Sequence, residues 1–144
     1  MKAKQLTQAG GTIHALIFET GDEVMAGLRE FARANHIRAA RLTAIGAFRE
    51  ATLAYFEWEQ KRYKEIPVGE QVEVLVLAGD IAWKGDEPVA HVHAVLGLRD
   101  GSTRGGHLQK GIVRPTLEVM LTEAGALERR YDPASGLALI AADA

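Results

Sequence analysis

The sequence predicts an α+β fold, with a largely antiparallel β-sheet and one main amphipathic helix over about residues 22–35. Three observations carry this reading. One segment alone shows sustained helical periodicity, several others read as strands, and 15 glycines and four prolines punctuate the intervals between them. Many strands with few helices fit an antiparallel sheet.

The helix opens at Thr20-Gly21-Asp22-Glu23, which fits a capping box: Thr20 would accept from the Glu23 amide while Glu23 reaches back. Val24, Leu28, Phe31 and Ala32 then form one apolar stripe. Arg29, Arg33 and His36 fall on the opposite face. That face reads as solvated or, with Arg38 and Arg41, as a strip contacting an anion or nucleic acid.

Strands are expected at residues 12–18, then at 38–45 and 51–57 with a bend at Gly46 between them. Residues 71–77 alternate, with Val72, Val74 and Val76 on one side, and Gly79 marks a bulge or strand end. Residues 89–98 form a long strand. Residues 116–122 set Leu117, Val119 and Leu121 against Thr116, Glu118 and Met120, and residues 126–131 are expected to pair with them across Glu123-Ala124-Gly125. The whole chain, 1–144, reads as one domain with a core over about 12–131. In the tail, 132–144, Leu137, Leu139 and Ile140 form a last short strand or dock on a neighbouring subunit.

Composition removes several function classes. The chain has no cysteine, which excludes disulfide scaffolds, thiolate zinc sites, iron–sulfur clusters and a cysteine nucleophile. No apolar run approaches the ~18–20 residues of a membrane span, and the first ten residues lack the apolar core of a signal peptide, so a cytoplasmic location without membrane contact is expected. Seventeen Lys+Arg against 19 Asp+Glu give a net charge of −2, without the basic excess of a domain that grips nucleic acid by bulk charge. Ser102 and Ser135 are the only serines, and neither lies in a nucleophile elbow.

The chemistry concentrates between Pro88 and Gly111. His91 and His93 stand two apart on a predicted strand, so both point to one face, ~6.6 Å apart. His107 joins them if Arg99-Asp100-Gly101 is a three-residue hairpin loop with Gly101 in the left-handed position. Paired residue numbers then sum to 200, and His93 faces His107. If Asp100-Gly101 is a two-residue turn, the sum is 201 and His107 points to the other face. A bulge at Gly105-Gly106 would also shift the register. Three convergent imidazoles with an open position resemble a catalytic or ligand-binding metal site. Zinc is the expected divalent ion, and iron, nickel, cobalt or manganese would also suit. Glu118 is a candidate fourth ligand, hydrogen-bonding partner of a ligand, or base. His14 and His36 read as structural, and Tyr55, Phe56, Trp58 and Tyr63 as core or interface packing.

These residues carry a resemblance to the plants and prokaryotes conserved (PPC) domain. It rests on Pro88-Val89-Ala90-His91-Val92-His93, on Gly105-Gly106-His107-Leu108 followed by Gly111 and Val113, and on Thr116-Leu117-Glu118-Val119. Gly21-Asp22-Glu23-Val24 and residues 73–79 look like further parts of the pattern, which covers about residues 12–131. The resemblance implies an antiparallel α+β fold, a compact homotrimer, and a metal cluster at His91, His93 and His107. It also brings the family's usual label of predicted DNA-binding protein. Plant members carry an AT-hook with an Arg-Gly-Arg-Pro core, which this sequence lacks. Val113-Arg114-Pro115 is not one.

Three functional readings follow. The first is a trimeric module that binds a metal and a small ligand, or acts as a regulator. The second is a DNA-associated regulator using Arg29, Arg33, Arg38 and Arg41. The third is a small metal-dependent, hydrolase-like enzyme, with Glu118 as base and Arg104 or Arg114 holding an anionic substrate. Catalytic residues are otherwise unassigned.

Overall fold

The computed structural model describes residues 1–8 and 11–142. Asp143 and Ala144 of the predicted tail, and Ala9 and Gly10 of the N-terminal segment, lie outside the described residues. The elements are β1 (Lys2–Gln8), β2 (Gly11–Glu19), α1 (Val24–Ala34), β3 (Ala39–Glu57), β4 (Arg62–Val68), β5 (Val72–Lys84), β6 (Glu87–Gly97), β7 (Thr103–Glu123), β8 (Glu128–Asp132) and β9 (Leu137–Ala141). The described residues are mostly sheet with one short helix, so the α+β expectation holds with the balance well toward β.

The strand pairs are antiparallel, apart from a single parallel bridge between β5 and β8 at Trp83 and Glu128. β3 pairs with both β5 and β7, and β6 pairs with the same two strands, so these four close into a ring. Closure gives each of these strands a partner on both sides, although β6 meets β7 only over residues 93–97. One side of this sheet packs on α1. Phe18, Leu28, Phe31, Leu42, Val92 and Leu121 are buried together there. The alternation of β6 puts Ala90, Val92, Ala94 and Leu96 into this core and turns His91 and His93 to the other side.

Several boundaries differ from the expectation, each for a physical reason. The helix cap is Glu23, so the predicted Thr20 capping box does not form. The Glu23 carboxylate accepts from the amides of Met25 at 3.0 Å, Ala26 at 2.8 Å and Gly111 at 3.2 Å. A carboxylate satisfies the orphan amides as well as a hydroxyl does and adds favourable charge at the helix N-terminus. Thr20 instead donates to the Pro115 carbonyl. β3 runs as one strand through Gly46, where the expected bend takes the form of a shift in pairing register.

In β5 the pairing skips Leu75, because Val74 faces Leu96 and Val76 faces Val95. This bulge reverses the alternation: Val72, Val74 and Leu77 are buried and Val76 is 46% exposed, contrary to the expected third inward valine. The segment expected to pair with β7 becomes β8, which pairs with β9 and meets β5. β9 supplies the short final strand expected of Leu137, Leu139 and Ile140. β1 and β4 have no counterpart in the sequence expectation.

Gly79 does not end a strand. β5 continues to Lys84, and a Cβ on Gly79 would lie 2.1 Å from the His91 carbonyl oxygen and 2.8 Å from Val92 Cα. Backbone meets backbone there, so only glycine permits the β5–β6 spacing that carries His91. Gly79→Ala is therefore expected to cost about 1–3 kcal/mol, as overpacking does. A lower urea midpoint with unchanged slope would show it. Gly69→Ala, where a Cβ meets nothing within 4 Å, is the matched control and should leave the midpoint in place.

Candidate metal centre

The loop between β6 and β7 sets the site. Leu98 donates its amide to Ser102 at 2.8 Å, Gly101 donates to Leu98 at 2.9 Å, and Gly101 has φ +83°. Asp100 holds the turn by accepting from the Ser102 amide at 2.9 Å and hydroxyl at 2.6 Å. This is the three-residue loop with a left-handed glycine. Gly97 faces Thr103 and His93 faces His107, so the sum is 200 and no bulge intervenes at Gly105-Gly106.

The strands bring His91, His93 and His107 together on the face away from α1. One nitrogen from each lies within 4.8 Å of the others. Two nitrogens bound to one ion at ~2.1 Å are at most about 4.2 Å apart, so small side-chain rotations complete a coordination set. The ring centroids are 5.0–5.6 Å apart. His107 Nδ1 is buried with no hydrogen-bond partner. A buried unpaired ring nitrogen is costly, and a cation is one partner that satisfies it. The donor set therefore fits a divalent transition metal.

Burial disfavours the charged form of two of the rings, His91 and His107. Burial, reinforced by the neighbouring histidines His91 and His93, pushes the His107 pKa down to about 4. Burial also lowers that of His91, against the opposing pull of the Asp80 carboxylate. Neutral imidazole is the form that ligates metal. Tyr63 of β4 stacks on His107, with centroids 4.6 Å apart and planes 26° apart. Asp80 faces His91 in the β5–β6 register, its Oδ2 3.8 Å from His91 Nδ1. Asp80 is in turn paired with Arg129 of β8, whose side chain is only 6% exposed.

Sequence reasoning does not single out Asp80, yet its signal is there. A two-residue loop at Gly85-Asp86 pairs Lys84 with Glu87, and the same register carries Asp80 to His91. Arg129 has no such signal, because its place depends on where β8 crosses. Tyr63 is packing, as read, but its partner is a candidate ligand.

The structure does not bring Glu118 to the histidines. Glu118 lies on β7 eleven residues beyond His107, about 35 Å along the strand. It pairs with Ile17 and Ile45, beside Gly46 and Glu73. Nor do Arg29, Arg33, Arg38 and Arg41 form one strip. Arg33 is paired with Glu87. Arg38 lies 3.6 Å from Glu128 and stacks 4.4 Å over the Trp83 ring. Arg41 alternates with the core residues Ala40 and Leu42, which pack under α1, so it points to the opposite face from the helix. Arg104 is exposed near the Pro67 carbonyl, and Arg114 donates to Gln71 at 2.7 Å. His14 is buried and bonded to Glu123 at 2.6 Å. Among the described residues no helix is long and apolar enough to cross a membrane.

Known proteins share this fold. The model of the Plants and Prokaryotes Conserved (PCC) domain matches residues 5–125. A plant- and prokaryote-conserved (PPC) protein from Pyrococcus horikoshii superposes with a TM-score of 0.85 at 29% identity, over 97% of this chain and 94% of its own. A metal-containing protein from Archaeoglobus fulgidus gives 0.85 at 34% identity, over 91% and 94%. A protein from Ralstonia eutropha, described as a candidate DNA-binding protein, gives 0.86 at 27% identity, over 96% and 95%. The bifunctional protein GlmU of Synechococcus sp. (strain JA-3-3Ab) is 30% identical over 130 residues, 86% of this chain. The chain spans about a fifth of that curated relative's length, 19%. With the family model covering most of its length, the chain belongs to the Plants and Prokaryotes Conserved domain family.

Proposed function

We propose that this chain is a metal- and small-ligand-binding module in which His91, His93 and His107 hold one divalent transition ion, with zinc as the first expectation. The observation that carries the reading is the convergence of three imidazoles, one with a buried unpaired nitrogen. The name of the Archaeoglobus fulgidus relative supports it. Three protein ligands leave a coordination position for a ligand, and when bound the ion would act as a Lewis acid there. Tyr63 and Asp80 would orient His107 and His91. A hydrolytic reading has less support, because Asp80 is engaged by Arg129 and Glu118 lies elsewhere.

The single domain over 1–144 and the homotrimer belong to the same proposal. Ile45, Leu75, Val76 and Met120 are 44–60% exposed on the face away from α1. Apolar side chains gathered on an exterior face mark a contact surface, and the number three comes from the family resemblance. DNA association is the second reading. The description of the Ralstonia eutropha relative favours it, and the net charge of −2 and the paired arginines oppose it.

Elemental analysis of protein purified without chelating resin is expected to find about one transition ion per chain. His93→Ala should lose most of it and melt at a lower temperature, since binding to the folded state stabilises it. Metal content unchanged in that variant would overturn the assignment.

Sedimentation should give three copies per particle, and Ile45→Glu should shift it toward monomer. For DNA, a fluorescence titration should show weak affinity with a shallow salt slope. A slope of several phosphate contacts would favour the second reading instead.

Metal-free protein should lose stability as pH falls from about 6.5 toward about 4. The folded pKa of His107 lies below its unfolded value, so across that window the unfolded chain binds the extra proton. The carboxyls of Asp22, Asp100 and Asp132 are held low and lose their contributions only in more acidic solution. Melting curves across pH should be flatter for His107→Gln than for the parent.

A further inference from the structure

A cavity of about 230 Å³ opens beside the histidines. Its walls include His91, His107, Tyr63 and Val89, together with Leu137 and Leu139 of β9. It is smaller than the ~300–1,000 Å³ of pockets for drug-sized ligands. Its lining is mostly aliphatic and aromatic. Arg129, nearly buried at 8% exposure, also lines it.

Arg129 is not fully used by the fold. Of its five N–H donors, one bonds the Ala138 carbonyl at 3.3 Å and one is paired with Asp80. Its Nε is buried and has no partner. Buried unsatisfied donors are few in native proteins, and each calls for an explanation. With a divalent ion on neutral imidazoles, Arg129 and Asp80 leave the cavity a charge of about +2. A low-dielectric pocket of that charge favours an anion.

The apolar walls restrict which anion. Tyr63, His91, His107 and Arg129 are the polar groups facing it, too few to replace the water around a phosphate dianion. A carboxylate needs fewer donors and matches the planar guanidinium. We infer that the cavity binds a small organic acid, its carboxylate held between the ion and Arg129 and its short aliphatic body against Leu137, Leu139 and Val89.

This rests on the metal reading given above, and it assigns the ligand class and a new role to the β8–β9 hairpin. Arg129, Leu137 and Leu139 lie beyond residue 125, where the match to the family model ends. The histidines, Tyr63 and Val89 lie in the segment that the family model matches, and Arg129, Leu137 and Leu139 add the rest of the wall from beyond it.

The test uses full-length protein loaded with cobalt(II), whose visible bands report the ion's free coordination positions. Isobutyrate, isobutyramide and inorganic phosphate are the probes. Isobutyrate is expected to shift the bands and to bind about tenfold or more tighter than the neutral amide and than phosphate. Arg129→Gln should keep its cobalt and lose about tenfold or more in isobutyrate affinity. Because Arg129 also pairs with Asp80, Leu139→Trp serves as a second variant. Leu139 is 44% exposed, so its replacement narrows the cavity without disturbing the pair. It should likewise keep cobalt and weaken isobutyrate. Cobalt-loaded protein indifferent to isobutyrate, or preferring phosphate, would overturn this inference and leave the metal site standing. Protein that takes up no cobalt would overturn the metal reading and this inference with it.

Discussion

Whether His107 meets the other two histidines depends on a loop of three residues. Asp100 draws in the amide and hydroxyl of Ser102, Gly101 takes the left-handed conformation, and the paired numbers then sum to 200. One residue fewer in that loop would send His107 to the core side of the sheet, because side chains alternate with a period of two. A hydrogen-bonded turn on the surface thereby decides the composition of a site several residues away. The ring of β3, β5, β6 and β7 holds the result, since β6 is paired with β5 along its length and with β7 from His93 to Gly97.

The electrostatics follow from where the ring places the imidazoles. They stand on the outer face, partly covered by Tyr63 and the β8–β9 hairpin, where burial outweighs the nearby Asp80 carboxylate at His91. His91 and His107 are thereby biased toward the neutral form that ligates metal. Asp80 faces both ways, toward His91 and toward Arg129. Through it the C-terminal hairpin is tied to the histidine cluster, and the wall of the cavity and the ligands form one unit.

The same outer face carries Ile45, Leu75, Val76 and Met120, exposed to water. The bulge at Leu75 accounts for Val76, because it moves this valine out of the core and admits Leu77. A sheet with a buried inner side and an apolar outer side is suited to association. The sheet separates Arg41 from the arginines of the helix, and Glu87 and Glu128 partly neutralise Arg33 and Arg38.

Much was determined by the sequence alone. The absence of cysteine removed thiolate chemistry, the stripe from Val24 to Ala32 specified the helix, and the His91–His93 spacing with Arg99-Asp100-Gly101 specified a convergent pair of strands as one of two registers. Those features are local, with periods of two or 3.6 residues and turns of known geometry. Tertiary structure decided the rest. It chose Glu23 over Thr20 as cap by bringing the Gly111 amide to its carboxylate, and it reset the phase of β5 at Leu75. It also carried β8 to β5 rather than to β7. These outcomes depend on contacts between residues far apart in the chain, for which alternation and turn chemistry hold no information. Arg129 reaches Asp80 across 49 positions, and only the folded sheet puts that cation beside the histidines.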